Sequence, residues 1–180
     1  MKMKMLVSVI CLLGLTAAGF TQDREQPSPR SQERIVREVR HELLMLPYFG
    51  VFDYLTYKVD GGTVTLMGSV VRPVLKSDAE NAVKHIEGVD KVQNQIEVLP
   101  PSSMDDGLRI RLFREIYGFP SLEKYALGVQ KPIRIIVKSG RVTLEGVVDS
   151  ETDKDVAGVR ANSVPGIFEV TNNLQVEAPK

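Results

Sequence analysis

A single cysteine, two histidines and no surplus of either charge leave this sequence short of the groups on which most catalytic and metal sites depend. Cys11 sits inside the apolar run Met5 to Leu15, preceded by Ser8-Val9-Ile10 rather than by the small-residue box that a lipoprotein signal places before its cysteine. It is expected to leave with that run, so the folded part has no thiol, no disulfide and no cysteine-ligated metal, and packing alone must hold it together. His41 and His85 are the only histidines, and one imidazole among scattered carboxylates makes no closed metal site. Neither a G-x-S-x-G elbow, a Walker-type loop nor an H-E-x-x-H pair is present. The sequence therefore predicts no catalytic residues, no metal and no cofactor.

What is present at the start reads as an address. Lys2 and Lys4 precede an apolar run too short to span a bilayer, and Thr16-Ala17-Ala18-Gly19 supplies small residues for cleavage. Residues 1–19 are accordingly read as a cleavable signal peptide, which implies a periplasmic location. Losing Lys2 and Lys4 leaves 21 basic against 23 acidic residues, a net charge of about −2 with none of the basic excess a nucleic-acid binder carries. Residues 20–32, polar and containing Pro27 and Pro29, read as a flexible linker. The remaining length, roughly 145 residues, suits two small domains better than one large core.

Those two domains are legible because the chain repeats itself. Val59 to Pro100 aligns with Val137 to Ala178 at one offset of 78 residues without a gap. Identities include Val59/Val137, Gly62/Gly140, Val64/Val142, Thr65/Thr143, Leu66/Leu144, Gly68/Gly146, Lys76/Lys154, Ala79/Ala157, Gly88/Gly166, Asn94/Asn172 and Val98/Val176. These are glycines and core positions, so what was duplicated is a fold; no acid, base or nucleophile of catalytic character recurs.

Each repeat reads helix, strand, strand, helix, strand. In the first, Ser31 is the expected N-cap of a helix with Ile35, Val36, Val39, Leu43 and Leu44 as its apolar stripe, ended by Pro47. Leu55, Tyr57 and Val59 alternate into the turn Asp60-Gly61-Gly62, and Val64, Leu66, Gly68 and Val70 alternate back. A second helix is expected over Pro73 to Ile86 with Gly88 as C-cap, then a last strand through Val92, Asn94, Ile96 and Val98. The second repeat follows suit, with a helix over Leu108 to Tyr117, a strand with Ile133, Ile135 and Val137 inward, a turn at Ser139-Gly140, a second helix through Val156, Ala157, Ala161 and Val164, and a last strand through Val170, Leu174 and Val176. The fold class is thus α+β, two tandem αββαβ domains over residues 33–100 and 107–178, each a three-stranded mixed sheet packed by two helices, joined by a linker at 101–106.

Glycines inside a strand, as at Gly68 and Gly146, mark close backbone approach, and the amides of Asn94 and Asn172, on the apolar side of a strand, must find partners in a neighbouring turn. Asp149, Glu151, Asp153 and Asp155 could attract calcium or form the acidic first turn of a helix.

The motif Gly61-Gly62-x-Val64-Thr65-Leu66-x-Gly68-x-Val70, followed by Gly88-Val89-x-x-Val92-x-Asn94-x-Ile96-x-Val98, resembles the BON domain of bacterial envelope proteins. The resemblance covers nearly the whole chain behind the signal, twice. It implies an attachment module without enzymatic chemistry, periplasmic, linked to osmotic or envelope stress, and binding phospholipid or other envelope components. One departure is that the loops from Leu46 to Asp53 and from Gly118 to Pro132 are richer in aromatics and prolines than the motif requires.

Those loops supply the candidate lipid-binding residues Tyr48, Phe49, Phe52, Tyr117 and Phe119, beside Arg34, Arg37 and Arg40 on the first helix, which could meet anionic headgroups. The alternative is that the rings lid a small domain whose sheet needs cover. Three functions follow: a non-catalytic protein docking on membrane phospholipid in support of envelope integrity; an adaptor engaging another envelope protein through an exposed sheet edge; and a carboxylate hydrolase, disfavoured because no pair of acids is repeated or set among apolar residues.

Overall fold

A computed structural model describes residues 29–177, so the expected signal peptide and most of the linker expected at 20–32 lie outside the described residues. The elements run α1 (Pro29–Leu44), β1 (Tyr54–Asp60), β2 (Thr63–Val70), α2 (Pro73–Val83), β3 (Lys91–Asn94) and β4 (Glu97–Val98), then α3 (Ser103–Tyr117), a 3-10 helix (Glu123–Ala126), β5 (Ile133–Lys138), β6 (Arg141–Val148), α4 (Glu151–Asn162), β7 (Glu169–Asn172) and β8 (Gln175–Val176). The fold is α+β with two mixed sheets and four helices. In the first domain β1 and β2 form an antiparallel hairpin, and β3 and β4, two pieces of one strand, both run parallel to β2. The second domain repeats this with β5, β6 and the pair β7 and β8.

Several boundaries differ from the periodicity. Helix α1 already starts at Pro29, so Ser31 lies within it rather than capping it. Helix α3 starts at Ser103, well before its first buried leucine, because the Ser102 hydroxyl accepts the Asp105 N–H at 3.2 Å and caps it. Helix α2 stops at Val83, and Ile86 continues only through a turn in which its N–H reaches the Val83 carbonyl.

The cores follow the expected stripes, except that Val36 is exposed and Leu44 only half-buried. Ile35, Val39 and Leu43 of α1 pack with Val64, Leu66, Leu75, Ala79, Val83 and Ile96; Leu108, Leu112 and Ile116 of α3 pack with Ile133, Ile135, Val137, Leu144, Ala157 and Leu174. Burying each larger side chain contributes about 1.5–3 kcal/mol. The helical stripes correspond at an offset of 73 rather than 78, so five extra residues enter the second helix-to-strand connection, and the 3-10 helix is formed there.

The duplicated asparagines stitch strand to helix. Asn94 Nδ2 donates to the Lys76 carbonyl and Asn172 Nδ2 to the Lys154 carbonyl, both at 2.8 Å, so the partner is the first part of a helix rather than a turn. Each Oδ1 accepts the N–H two residues on, Ile96 and Leu174, at 3.2 and 3.3 Å. That local bond is why the last strand is broken after Asn94 and Asn172 instead of alternating through.

Gly68 and Gly146 have φ of +112° and +123° and lie where an added Cβ would run into the carbonyl oxygens of Tyr54 in β1 and of Pro132 just before β5. Gly68→Ala and Gly146→Ala are each expected to lower unfolding free energy by about 2 kcal/mol or more. Gly107→Ala, inside α3 where an added Cβ makes only an ordinary contact 3.6 Å from Arg111, should instead raise it by about 0.5–1 kcal/mol. Urea unfolding of the three variants checks both signs.

Candidate functional site

The two domains meet through the loop 45–53, which leaves α1 and turns across β5. Its Val51 carbonyl accepts the Ile135 N–H at 2.9 Å, so a residue of the first domain pairs with the edge strand of the second sheet. Beside it Arg134 is buried, an arginine in the run Ile133-Arg134-Ile135-Ile136-Val137. Its Nη1 donates to the Gly50 carbonyl at 2.7 Å and its Nη2 to Gln130 Oε1 at 3.0 Å, while the guanidinium carbon stands 4.5 Å from the centre of the Phe49 ring. Burial lowers the Arg134 pKa, and the Tyr117 and Asp53 side chains oppose that shift. Asp53, also buried, fixes the loop from the other side, accepting the Gly50 N–H at 2.9 Å and the Val71 N–H at 2.8 Å. Phe52 reaches over to the second core, edge-to-face with Phe113 at 6.4 Å. Gln130 donates to the Leu44 carbonyl at 3.0 Å, and Lys138 pairs with Glu97 across the same junction.

These contacts leave an open groove of about 490 Å³ between the domains. Leu43, Leu44 and Phe49 form one wall, residues 54–57 of β1 run along it, and Pro132, Gly146 and Val147 form the other. Arg40, Lys131 and Arg134 are its charged residues, and no carboxylate lines it. The lining is mainly apolar with few polar groups, as in sites that hold a ligand by burial and orient it by charge.

Of the residues singled out from sequence for lipid contact, the structure brings Arg40, Phe49 and the neighbouring Tyr54 into this groove. Arg34 is paired with Glu38 and Glu87. Arg37 lines a separate cleft with Glu38, His41, Glu42 and His85. Tyr48 is exposed, at φ +66°, with Arg72 4.9 Å from its ring centre. Tyr117 is 4% exposed, and its hydroxyl donates to the Ile133 carbonyl at 2.6 Å; burial raises its pKa. Phe119 packs against the second core under Arg160. Phe49, Phe52, Tyr117 and Phe119 thus serve the junction and the second core. Sequence reasoning missed Arg134, Lys131 and Val147; the one local signal was a lone arginine in an otherwise aliphatic strand.

The acidic cluster is occupied from within. Ser150 caps α4 by accepting the Asp153 N–H at 3.1 Å. Lys124 bridges Asp149 at 2.8 Å and Asp153 at 2.9 Å, and the Tyr125 hydroxyl donates to Asp153 at 2.8 Å. Burial pushes the Asp153 carboxyl up, but Lys124, Tyr125 and Ser150 together outweigh it, and its pKa falls below the usual aspartate value. The 3-10 helix is thereby fastened to the start of α4. Among the described residues no group of three His, Cys, Asp or Glu is placed to hold a metal, and no helix is long and apolar enough to cross a membrane.

The model of the BON domain family matches residues 31–100 and again residues 123–178. No curated protein matches the chain. Two solved structures are of CdsD, a structural protein of the type III secretion system of Chlamydia trachomatis. One is 11% identical over 82% of this chain and 94% of that one; the other, its C-terminal domain, is 12% identical over 80% and 98%. Both have a TM-score of 0.29, too low to carry any inference about this chain.

Two outcomes follow from the junction and the acidic cluster. Arg134→Met should cost about 2 kcal/mol by removing the charge-assisted bonds to the Gly50 carbonyl and to Gln130, and scanning calorimetry is expected to resolve separate unfolding of the two domains against a single transition in the parent. Because the folded Asp153 pKa lies below its unfolded value, its contribution is present above about pH 4 and is lost as pH falls through the folded pKa. Asp153→Asn should flatten the acid limb of the stability profile, measured as urea midpoints between about pH 5 and pH 2.

Proposed function

The chain belongs to the BON domain family, and on that premise we propose that it is a non-catalytic periplasmic protein that docks on phospholipid at the envelope surface and so supports envelope integrity or osmotic stress tolerance. The observation that carries this reading is the loop after the 3-10 helix. Leu127 is 85% exposed and Val129 98%, although both are aliphatic; Leu127 ends the 3-10 helix and Val129 lies in the bend that follows. Lys131 folds back beneath them, its ammonium donating to the Ala126 and Gly128 carbonyls, and Arg40 faces the same side across the groove. An apolar tip with cations behind it suits an anionic bilayer surface: the side chains enter the headgroup boundary while the charges stay in its negative potential.

This moves the apolar contact away from the rings. Phe49 and Phe52 are engaged between the domains, and turning them outward would open the junction. Arg37 and Arg40, exposed on α1, keep the electrostatic role proposed from sequence. With one apolar tip and a near-neutral chain, attachment would be weak and reversible. The alternative is a periplasmic adaptor that engages another envelope protein, and it draws on the groove itself, one wall of which is an edge strand.

The test is co-sedimentation of the chain from Phe20 onward with anionic and with neutral liposomes at low and moderate salt. Binding to anionic vesicles that salt weakens is expected, and the pair Leu127→Ser and Val129→Ser should reduce the bound fraction several-fold while the unfolding midpoint stays put. Failure to bind either vesicle would remove the lipid reading.

A further inference from the structure

The two repeats finish the outer edges of their first strands differently. In β5 the hairpin pairs Lys138 with Arg141, so the main-chain groups of Ile133, Ile135 and Val137 point away from β6. All three residues find partners there. The Tyr117 hydroxyl donates to the Ile133 carbonyl at 2.6 Å and accepts its N–H at 3.1 Å. The Val51 carbonyl accepts the Ile135 N–H, and Arg109 donates to the Val137 carbonyl at 2.7 Å.

The same register in β1, with Asp60 opposite Thr63, turns Leu55, Tyr57 and Val59 outward. Gln32 donates to the Val59 carbonyl at 3.3 Å. The outward main-chain groups of Leu55 and Tyr57 meet no partner among the described residues. The cause lies in the sequence. Aligning Ile35, Val39 and Leu43 with Leu108, Leu112 and Ile116 places Leu44 where the second domain has Tyr117, and a leucine has no hydroxyl to close the edge. Nor, among the described residues, does any segment cross β1 as Val51 crosses β5.

This open stretch is the floor of the interdomain groove. Leu44, Phe49, Pro132 and Val147 give it apolar walls, and Arg40, Lys131 and Arg134 give it positive charge with no carboxylate in the lining. Arg40 makes no ion pair among the described residues. We propose that the groove is a strand-addition site: an extended segment of another protein pairs its backbone with Leu55 and Tyr57, seats alternate apolar side chains between the domains, and sets a carboxylate against Arg40. Backbone pairing supplies affinity and side-chain pockets supply choice. The molecule contains a one-bond precedent, since the Val51 carbonyl already accepts an outward N–H of β5. The site goes beyond membrane docking, which would use the tip at Leu127 and Val129 and leaves β1 untouched.

The test uses the chain from Phe20 onward. A displayed library of random eight-residue peptides is selected on it, and the enriched peptide is synthesised with a free and with an amidated C-terminus. Hydrogen exchange at the Leu55 and Tyr57 amides is then followed alone, with peptide and with anionic vesicles. The expected result is an alternating apolar peptide bearing a carboxylate that slows both amides at least tenfold. Its affinity should fall at least tenfold in Arg40→Glu and in Leu44→Tyr, the latter installing the hydroxyl that closes β5. Should Leu44→Tyr disturb the fold, Leu55→Pro removes the outward N–H at an edge position where proline is tolerated. Comparing the two C-termini tells a terminal carboxylate from an acidic side chain. Peptides that bind Leu44→Tyr and Leu55→Pro as well as the parent would overturn the proposal. So would amides slowed only by vesicles, amides slowed by rising protein concentration as a second copy would do, or amides freed by removing residues 20–28 or 178–180.

Discussion

A three-stranded sheet has two edges, and every N–H and C=O along an edge must find a partner or stay in water. The arrangement of this protein depends on how one such edge, the outer side of β5, is satisfied. Ile133, Ile135 and Val137 cannot turn their main-chain groups to solvent, because α3 and the first domain both lie against that strand. Four of its outward groups are met by three unlike donors and acceptors: a tyrosine hydroxyl, an arginine and the carbonyl of Val51. The last of these fixes where the first domain sits. Once Val51 is placed, Gly50 is within reach of Arg134, Phe49 lies under the guanidinium, and Phe52 falls onto Phe113. A buried arginine is costly unless its donors are used, and here two go to Gly50 and Gln130. The junction is therefore specific, since a displaced loop would strand both a charge and a strand edge.

Duplication accounts for the scaffold, and divergence for the site. The residues kept in both repeats hold each sheet to its own helices: Gly68 and Gly146 where hairpin strands approach too closely for a Cβ, Asn94 and Asn172 where the last strand is tied to a helix carbonyl. The differences gather at the helix-to-strand connections, 45–53 and 118–132. In the first the loop reaches out to the neighbouring domain; in the second, the longer one, Tyr125 and Lys124 fasten a 3-10 helix back onto α4. Domain 1 thus provides the reaching segment and domain 2 the receiving edge, an asymmetry two identical repeats could not produce without leaving a further loop and a further edge unsatisfied.

The sequence was most informative where the signal was local. Alternation and helical stripes located both hairpins and all four core faces, and the positions of Gly68, Gly146 and the two asparagines gave their kind of role, though not the helix carbonyl that each asparagine selects. Boundaries set by a cap or a single hydrogen bond were harder: Ser102 starts α3 ahead of its apolar stripe, and the Asn94 side chain breaks a strand that alternation carries through. The groove was hardest. Phe49 and Phe52 read as a membrane contact because an aromatic loop has the same composition whether it faces lipid or another domain. Arg134 sits in a strand covered on both faces, so it breaks an aliphatic run without announcing what lies above it. The contrast between Leu44 and Tyr117 becomes visible only after the helical offset of 73 is set against the strand offset of 78.

An open strand edge is ordinarily a hazard, because it offers the same template to any chain, including another copy of itself. Three features make the open part of β1 tolerable. It is set inside a groove whose far wall belongs to the second domain, so a second sheet cannot approach it broadside. It is short, since Gln32 already closes the Val59 carbonyl and, among the described residues, leaves open only the groups of Leu55 and Tyr57 and the Val59 N–H. It is also guarded by Arg40, Lys131 and Arg134, so two copies meeting groove to groove would bring like charges together in a partly apolar space, where repulsion is poorly screened. The opposite edges of the sheets, at β3 with β4 and β7 with β8, are blunted by a different device. There the broken strands leave runs of only four and two residues on each side, Lys91–Asn94 with Glu97–Val98 and Glu169–Asn172 with Gln175–Val176, too short to pair far with a neighbour. The asparagines that cause those breaks thus do two things: they tie strand to helix within the domain, and they shorten the edge it shows to other molecules. Among the described residues, the longest edge left open is the narrow one of β1, lined by positive charge.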